Sequence, residues 1–225
     1  MPGLASAASM LSPSHAVEGT LWAVEPQRRL PDRCEARVAT TFVELAQGEL
    51  PQMVDAMGFE AVDPYRRRLQ TGRRGFALLV DGAYGTTGWV SQGSEGVDEL
   101  QRTFTFDPDD AYIWDCVTRP DLRGKRLYSA FLSHCIYHLY EEGAPRIWIG
   151  SNRENVPSIK GFENAGFRPV VDVNLRRWGP VTFVRFYPDA QAPPHLVEAA
   201  RRAMTIPAER RLGNVALGYR RGAWD

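Results

Sequence analysis

The sequence lacks an excess of either charge: 27 Lys and Arg stand against 27 Asp and Glu in 225 residues. A dedicated nucleic-acid binder carries a basic field over one face, and this composition supplies none. Long apolar runs are missing too. No stretch approaches the ~20 residues that a membrane-spanning helix needs. The opening MPGLASAASMLSPSH has neither the basic start nor the apolar segment of a secretory signal. Cysteine is scarce: Cys34, Cys116 and Cys135 show no paired or metal-like spacing. That sets aside a disulfide scaffold and points to a reduced, cytoplasmic setting. His134 and His138 are four apart on one helical stretch, but no third ligand lies near, so they read as exposed helix residues and no metal is expected. No internal repeat is present.

What is there begins with a core. Hydrophobic residues make up 44% of the chain, enough for one packed domain with some decoration. Residues 1–16 are small and polar and are expected to be a mobile N-terminal segment. Residues 17–188 are expected to form the main domain, and 189–225 a helical, Arg-rich C-terminal extension.

The most informative stretch is Tyr112 to Phe167. Tyr112 to Thr118 is an apolar, aromatic run closed by Pro120, which predicts a strand. After Arg123-Gly124-Lys125, apolar residues at Leu127, Phe131, Cys135, Ile136, Leu139 and Tyr140 recur at three- and four-residue spacing, which predicts a helix. Gly143 and Pro145 stop it. Arg146 to Gly150 predicts a second buried strand, and an Asn-rich loop then opens a helix ending at Gly166. A turn rich in backbone N–H groups that feeds a helix N-terminus suits a phosphate. The helix end carries about half a positive charge, and Arg123, Lys125 and Arg126 add full charges. A phosphorylated small molecule lying against a strand end is the expected ligand.

This order resembles the GNAT superfamily of acyl-CoA-dependent N-acyltransferases. The family's Arg/Gln-x-x-Gly-x-Gly/Ala signature falls on Arg123 to Tyr128, and its Asn-x-x-Ala/Ser run ending in Gly-Phe falls on Asn155, Ser158, Phe162, Gly166 and Phe167. The clear resemblance covers Tyr112 to Phe167, and a looser one runs from about Val38 to Tyr187. It implies an α+β fold, with a central, mostly antiparallel mixed sheet flanked by helices and one parallel strand pair that splays apart. It implies acetyl-CoA or another acyl-CoA as co-substrate and a small amine as acceptor, with a homodimer left open. The CoA pyrophosphate would lie on Arg123, Gly124, Lys125, Arg126, Leu127 and Tyr128, and the pantetheine on Cys116, Val117 and Thr118. Asn155, Ser158 and Phe162 would add contacts, with Asn155 also capping its helix.

Three positions depart from the family pattern. Arg126 stands where the signature has glycine and either narrows the turn or contacts phosphate. Tyr128 stands at a small-residue position. Phe162 stands where many relatives have a tyrosine that protonates the leaving thiolate, and phenylalanine has no proton to give. Another donor acts, with Tyr128 a candidate, or the thiolate leaves unaided, or catalysis is lost. Asp115, within the central strand, would be partly desolvated and so a better base or amine anchor; the plainer reading is a strand carboxylate paired with an arginine. The functional expectation is an N-acyltransferase for acetyl or short acyl groups. The alternatives are a non-catalytic acyl-CoA sensor and an acyltransferase for hydroxyls or protein-bound groups.

Elsewhere, Gly19 to Glu25 predicts a strand and Ala36 to Gly48 a helix. Leu50 to Met57 and Tyr65 to Gln70 predict short helices, and the GNAT resemblance implies an acceptor-side lid at Pro51 to Pro64. Phe76 to Asp81 and Thr86 to Ser91 predict a hairpin, Gly93 to Asp98 a loop and Glu99 to Phe106 a strand. Val170 to Arg177 and Val181 to Tyr187 predict a closing hairpin, and His195 to Met204 a last helix. The arginine clusters at 66–68, 73–74, 201–202, 210–211 and 220–221 read most simply as solvated surface, with an acidic or phosphorylated acceptor, such as a nucleotide-linked sugar or a carrier protein, as the alternative.

Overall fold

Alternation of apolar residues builds one large sheet with a helical layer on each face. The computed structural model describes residues 13–205 and 209–219. Its strands are β1 (His15–Val24), β2 (Thr41–Glu44), β3 (Arg74–Val80), β4 (Ala83–Gln92), β5 (Ser94–Val97), β6 (Arg102–Thr105), β7 (Ala111–Thr118), β8 (Ile147–Asn152), β9 (Arg168–Trp178), β10 (Val181–Pro188), β11 (Glu209–Leu212) and β12 (Val215–Tyr219). The helices are α1 (Leu50–Met57), α2 (Asp63–Gln70), α3 (Leu127–Glu141), α4 (Val156–Ala165) and α5 (Pro194–Met204). Ten strands form one sheet in the order β11-β12-β10-β9-β1-β8-β7-β4-β3-β2, and β5 and β6 form a separate hairpin. Only β7 and β8 pair in parallel; the other described pairs are antiparallel. The expected mixed sheet with one parallel pair is what forms. A strand–helix–strand unit, β7-α3-β8, needs that crossover.

The pleat sorts the core. Phe76 and Leu78 of β3 and Ala111 and Ile113 of β7 turn to the face covered by α3 and α4. Ala77 turns to the opposite face with Met53, Val54 and Met57 of α1. Tyr112 turns to that opposite face too, where α5 and the β5–β6 hairpin cover it. The β3–β4 turn has positive φ at both Asp81 (50°) and Gly82 (79°), the two-residue geometry that follows strand twist.

Several sequence expectations change. Ala36 to Gly48 is not a helix. Thr40, Thr41 and Val43 are β-branched, and Thr41 to Glu44 pairs with β3 as an edge strand. Ala36 and Val38 instead pack on Leu122 and Leu127. Ser94 to Val97, expected as loop, is half of the β5–β6 hairpin. His15 and Ala16 belong to β1, β1 lies between β8 and β9, and Ser14 bonds the Arg177 carbonyl; residues 1–12 of the expected mobile segment lie outside the described residues. The region 189–225 holds α5 but also β11 and β12, which extend the sheet from β10.

Each described arginine cluster holds at least one paired member rather than solvated residues alone. Arg73 holds Glu95, and Arg202 meets Asp107; Arg220 and Arg221 lie outside the described residues. Arg74 gathers Glu44 at 2.7 Å, Glu142 at 2.6 Å and the His138 ring at 2.9 Å. The histidines are therefore half-buried partners rather than exposed residues, and His134 stacks on Phe42 with centroids 5.2 Å apart. Among the described residues no group of His, Cys, Asp and Glu has the makings of a metal site.

The Arg74 hub has a pH consequence. Its hydrogen bonds hold the Glu44 and Glu142 carboxyls below the usual 4.5. A depressed carboxyl pKa adds stability above the unfolded value, and that stability is lost as pH falls through the folded value. The hub's share of the urea midpoint should hold steady from neutral pH down to about 4.5 and drop below it. Arg74→Gln should flatten that acid limb; an unchanged limb would remove the hub from the account.

Candidate functional site

The site arises where the parallel pair fails. β7 and β8 match only at Ala111–Ile147, Tyr112–Trp148 and Ile113–Ile149. Beyond these, β7 continues on β4 to Thr118 and β8 continues on β1 to Asn152. Both strands keep their outer partners while their inner edges part, which leaves backbone groups of Trp114 to Thr118 without a strand partner on that side.

A bulge aims the side chains there. Asp115 has φ of 45°, and the β4–β7 register shifts so that Asp115 and Cys116 together face Gly88. Side-chain parity inverts at that point. Tyr112 and Trp114 face α5 and the hairpin, whereas Cys116 packs with Ile113 toward α3. Gly88 is required by this crowding, because a Cβ there would lie 2.6 Å from Phe131 and 2.7 Å from the Cys116 sulfur.

A cavity of about 400 Å³ occupies the gap and is lined from both faces of the sheet. On one side stand Cys116, Tyr128 of α3, and Asn155, Ser158 and Phe162 of α4. On the other stand Arg68 of α2, Trp114, Asp115 and the β5–β6 hairpin. Ser151 of β8 also lines it, and its buried Oγ has no hydrogen-bond partner. The sequence reading had thus named Asp115, Cys116, Tyr128, Asn155, Ser158 and Phe162 of the cavity wall. It missed Arg68, Trp114, Ser151 and the hairpin. Pro51 to Pro64, expected as the acceptor-side lid, do not line this cavity, and Arg68 and the hairpin form that wall instead. The Tyr65-to-Arg68 spacing on a short basic helix was the only local signal for Arg68.

Asp115 is not desolvated. The bulge turns its carboxylate outward, with its side chain 39% exposed and 2.5 Å from Arg68, which is the plainer of the two sequence readings. Val117 and Thr118 do not line the cavity. Val117 packs toward α1, and Thr118 Oγ1 meets Thr86 Oγ1 at 3.0 Å.

The turn before α3 is braced from outside. Gly124 and Arg126 both have left-handed backbones, φ 78° and 61°. Arg126 adopts the conformation that glycine would adopt more easily. Arg37 takes the Gly124 carbonyl through its side chain (3.2 Å) and the Lys125 carbonyl through its backbone N–H (2.9 Å). In trans peptides the N–H groups of Lys125 and Arg126 then point the opposite way. No side chain caps α3, so its first N–H groups keep their capacity for an anion. Among the described residues no carboxylate lies within 4 Å of the Arg123, Lys125 or Arg126 charge. Leu127 turns its side chain into a small core with Val80 and Leu122, so any role at the turn belongs to its backbone.

Tyr128 sits in the first turn of α3. Its ring packs on Gly161, where a Cβ would meet it at 2.5 Å, and lies 6.2 Å from the Phe162 ring. It shares this side of the cavity with Ser158 and Cys116. Burial pushes its hydroxyl well above the ordinary 10.0, so it keeps its proton at neutral pH. Burial likewise pushes the Cys116 thiol up, and it stays protonated and unreactive. Phe162 is 1% exposed and packs edge-on against Trp22 and Phe167. Asn155 caps α4 by accepting from the Ser158 N–H at 3.2 Å.

The model of the acetyltransferase (GNAT) family matches residues 57–167. A putative GNAT-family acetyltransferase from Novosphingobium aromaticivorans is similar in structure, with TM-score 0.51 and 17% identity over 72% of this chain and 64% of that one. The ribosomal-protein-S18-alanine N-acetyltransferase from Escherichia coli aligns with TM-score 0.46 and 18% identity over 58% of this chain and 78% of that one. An aminoglycoside acetyltransferase solved with coenzyme A and kanamycin aligns with TM-score 0.46 and 14% identity, over 58% and 84%. No curated protein matches.

Proposed function

We propose, for a chain whose residues 57–167 form a GNAT-family acetyltransferase domain, that it moves an acetyl or short acyl group from CoA to the amine of a small molecule. One observation carries this reading: an unpaired basic turn at a helix N-terminus beside a cavity that passes through the sheet where β7 and β8 part. The residues fit the co-substrate. The uncapped N–H groups of α3 with Arg123, Lys125 and Arg126 suit a pyrophosphate. The unpaired β7 edge at Cys116 to Thr118 suits the pantetheine amides, and the orphaned Ser151 Oγ suits a polar group in the gap. When bound, acetyl-CoA supplies a thioester carbon that bonds to the amine nitrogen as the C–S bond breaks, leaving a thiolate.

In this reading Tyr128, which lines the cavity with Cys116 and Ser158, gives that thiolate a proton. Asp115 anchors the acceptor ammonium from the opposite side; solvent takes up the two protons that the nitrogen sheds, one before attack and one after, and returns one to Tyr128. The cytoplasm is the proposed setting, which three unpaired cysteines suit. The observation that favours a non-catalytic sensor is Phe162; Tyr128 on the cavity wall answers it with another donor.

Arg123→Glu tests the co-substrate site. It should weaken CoA binding by ~2 kcal/mol or more, because a charge-assisted contact becomes a repulsion. Calorimetry on the folded variant reads this, and unchanged affinity would overturn the assignment.

A further inference from the structure

The acceptor wall of the cavity presents an opposed pair of charges set in an aromatic frame. The Arg68 guanidinium carbon lies 4.5 Å from the centre of the Trp114 ring and 5.0 Å from those of Trp89 and Tyr65. Tyr65 in turn stacks on Phe59. The frame is itself pinned. Trp114 Nε1 donates to Ser91 Oγ at 2.8 Å, Ser91 donates to the buried Glu95, and Glu95 pairs with Arg73. Arg68 is therefore held by its faces. The guanidinium's only polar partner among the described residues is Asp115, and the side chain remains 23% exposed in the cavity.

A guanidinium fixed through its faces offers its edge to a planar carboxylate, while an exposed carboxylate beside it accepts an ammonium. Next to this pair the wall turns apolar, with Val97, Leu100 and Phe104 from the hairpin region and Met204 from α5. Asp98 adds a second carboxylate at the exposed end of the hairpin. We propose that the acceptor is a free α-amino acid with an apolar or aromatic side chain: its carboxylate on Arg68, its ammonium on Asp115 and its side chain on the hairpin and Met204. The inference rests on the acyl-transfer reading and names its substrate class. A polycationic acceptor would meet Arg68 as an unfavourable charge. A peptide N-terminus has no carboxylate beside its amine and gives Arg68 nothing beyond Asp115.

The test uses three probes that differ only at that carboxylate: L-phenylalanine, L-phenylalaninamide and 2-phenylethylamine. Each is titrated calorimetrically into the full chain with coenzyme A present, and thiol release from acetyl-CoA is followed in parallel. Phenylalanine should bind ~10-fold or more tightly than the other two, the worth of one charge-assisted contact. Arg68→Gln should bring the three together, and Arg68→Lys should keep part of the preference. The inference is overturned if the amide or the amine binds as well as the acid, if the preference survives Arg68→Gln, or if none of the three binds. The wild-type series decides the matter even if a variant fails to fold. Arg68-dependent binding of phenylalanine without thiol release supports the acceptor class and counts against transfer. Thiol release with other amines, while none of the three binds, does the reverse.

Discussion

Tyr128→Phe is expected to lower turnover by ~10²-fold, the contribution of one positioned acid, while acetyl-CoA affinity holds. The ring is retained, so its packing on Gly161 and Phe162 survives and only the hydroxyl is lost. Two further readouts separate a proton donor from a packing residue. Because burial raises the hydroxyl above its ordinary 10.0, the wild-type rate should show no loss from Tyr128 ionisation until pH exceeds that value. The pair Tyr128→Phe with Phe162→Tyr places a hydroxyl on the neighbouring ring and should recover part of the rate. Thiol release measured across pH for all three proteins gives the answer. A Tyr128→Phe variant with wild-type turnover would rule out Tyr128 as the donor. A wild type that releases no thiol with any amine would favour the sensor reading.

Gly88→Ala should be the most damaging small substitution in the sheet, costing ~1–3 kcal/mol or somewhat more through overpacking. The added carbon would sit 2.6 Å from Phe131 and 2.7 Å from the Cys116 sulfur, opposite the bulge that sets the cavity wall. Neither neighbour can retreat easily, since Phe131 of α3 is fully buried. Cys116→Ala in the same chain removes one of the two clashes and should restore part of the loss. Denaturant midpoints of the single and double variants measure both effects. If Gly88→Ala unfolds at the wild-type midpoint, the bulge is not packed as described.

Much of this protein was determined locally. The 3.6-residue spacing from Leu127 to Tyr140, the Gly stops, the Asn155 cap and the Arg123 turn each lie within one or two turns of chain, so their physics is complete in a short window. That was enough for β7-α3-β8-α4, for the single parallel pair and for the basic turn. The failures also have local causes. Ala36 to Gly48 carries a weak helical spacing that its β-branched residues and the open edge of β3 override. Only the tertiary structure decided what depends on distant partners. Arg68 meets Asp115 across 47 positions, and β1 enters the sheet between β8 and β9. Asp115 was expected inside a regular strand. The register against Gly88 makes it a bulge that turns its carboxylate to solvent and Cys116 to the core. A strand's parity is written in its sequence, but a bulge in it is set by what lies opposite, and that is a property of the fold.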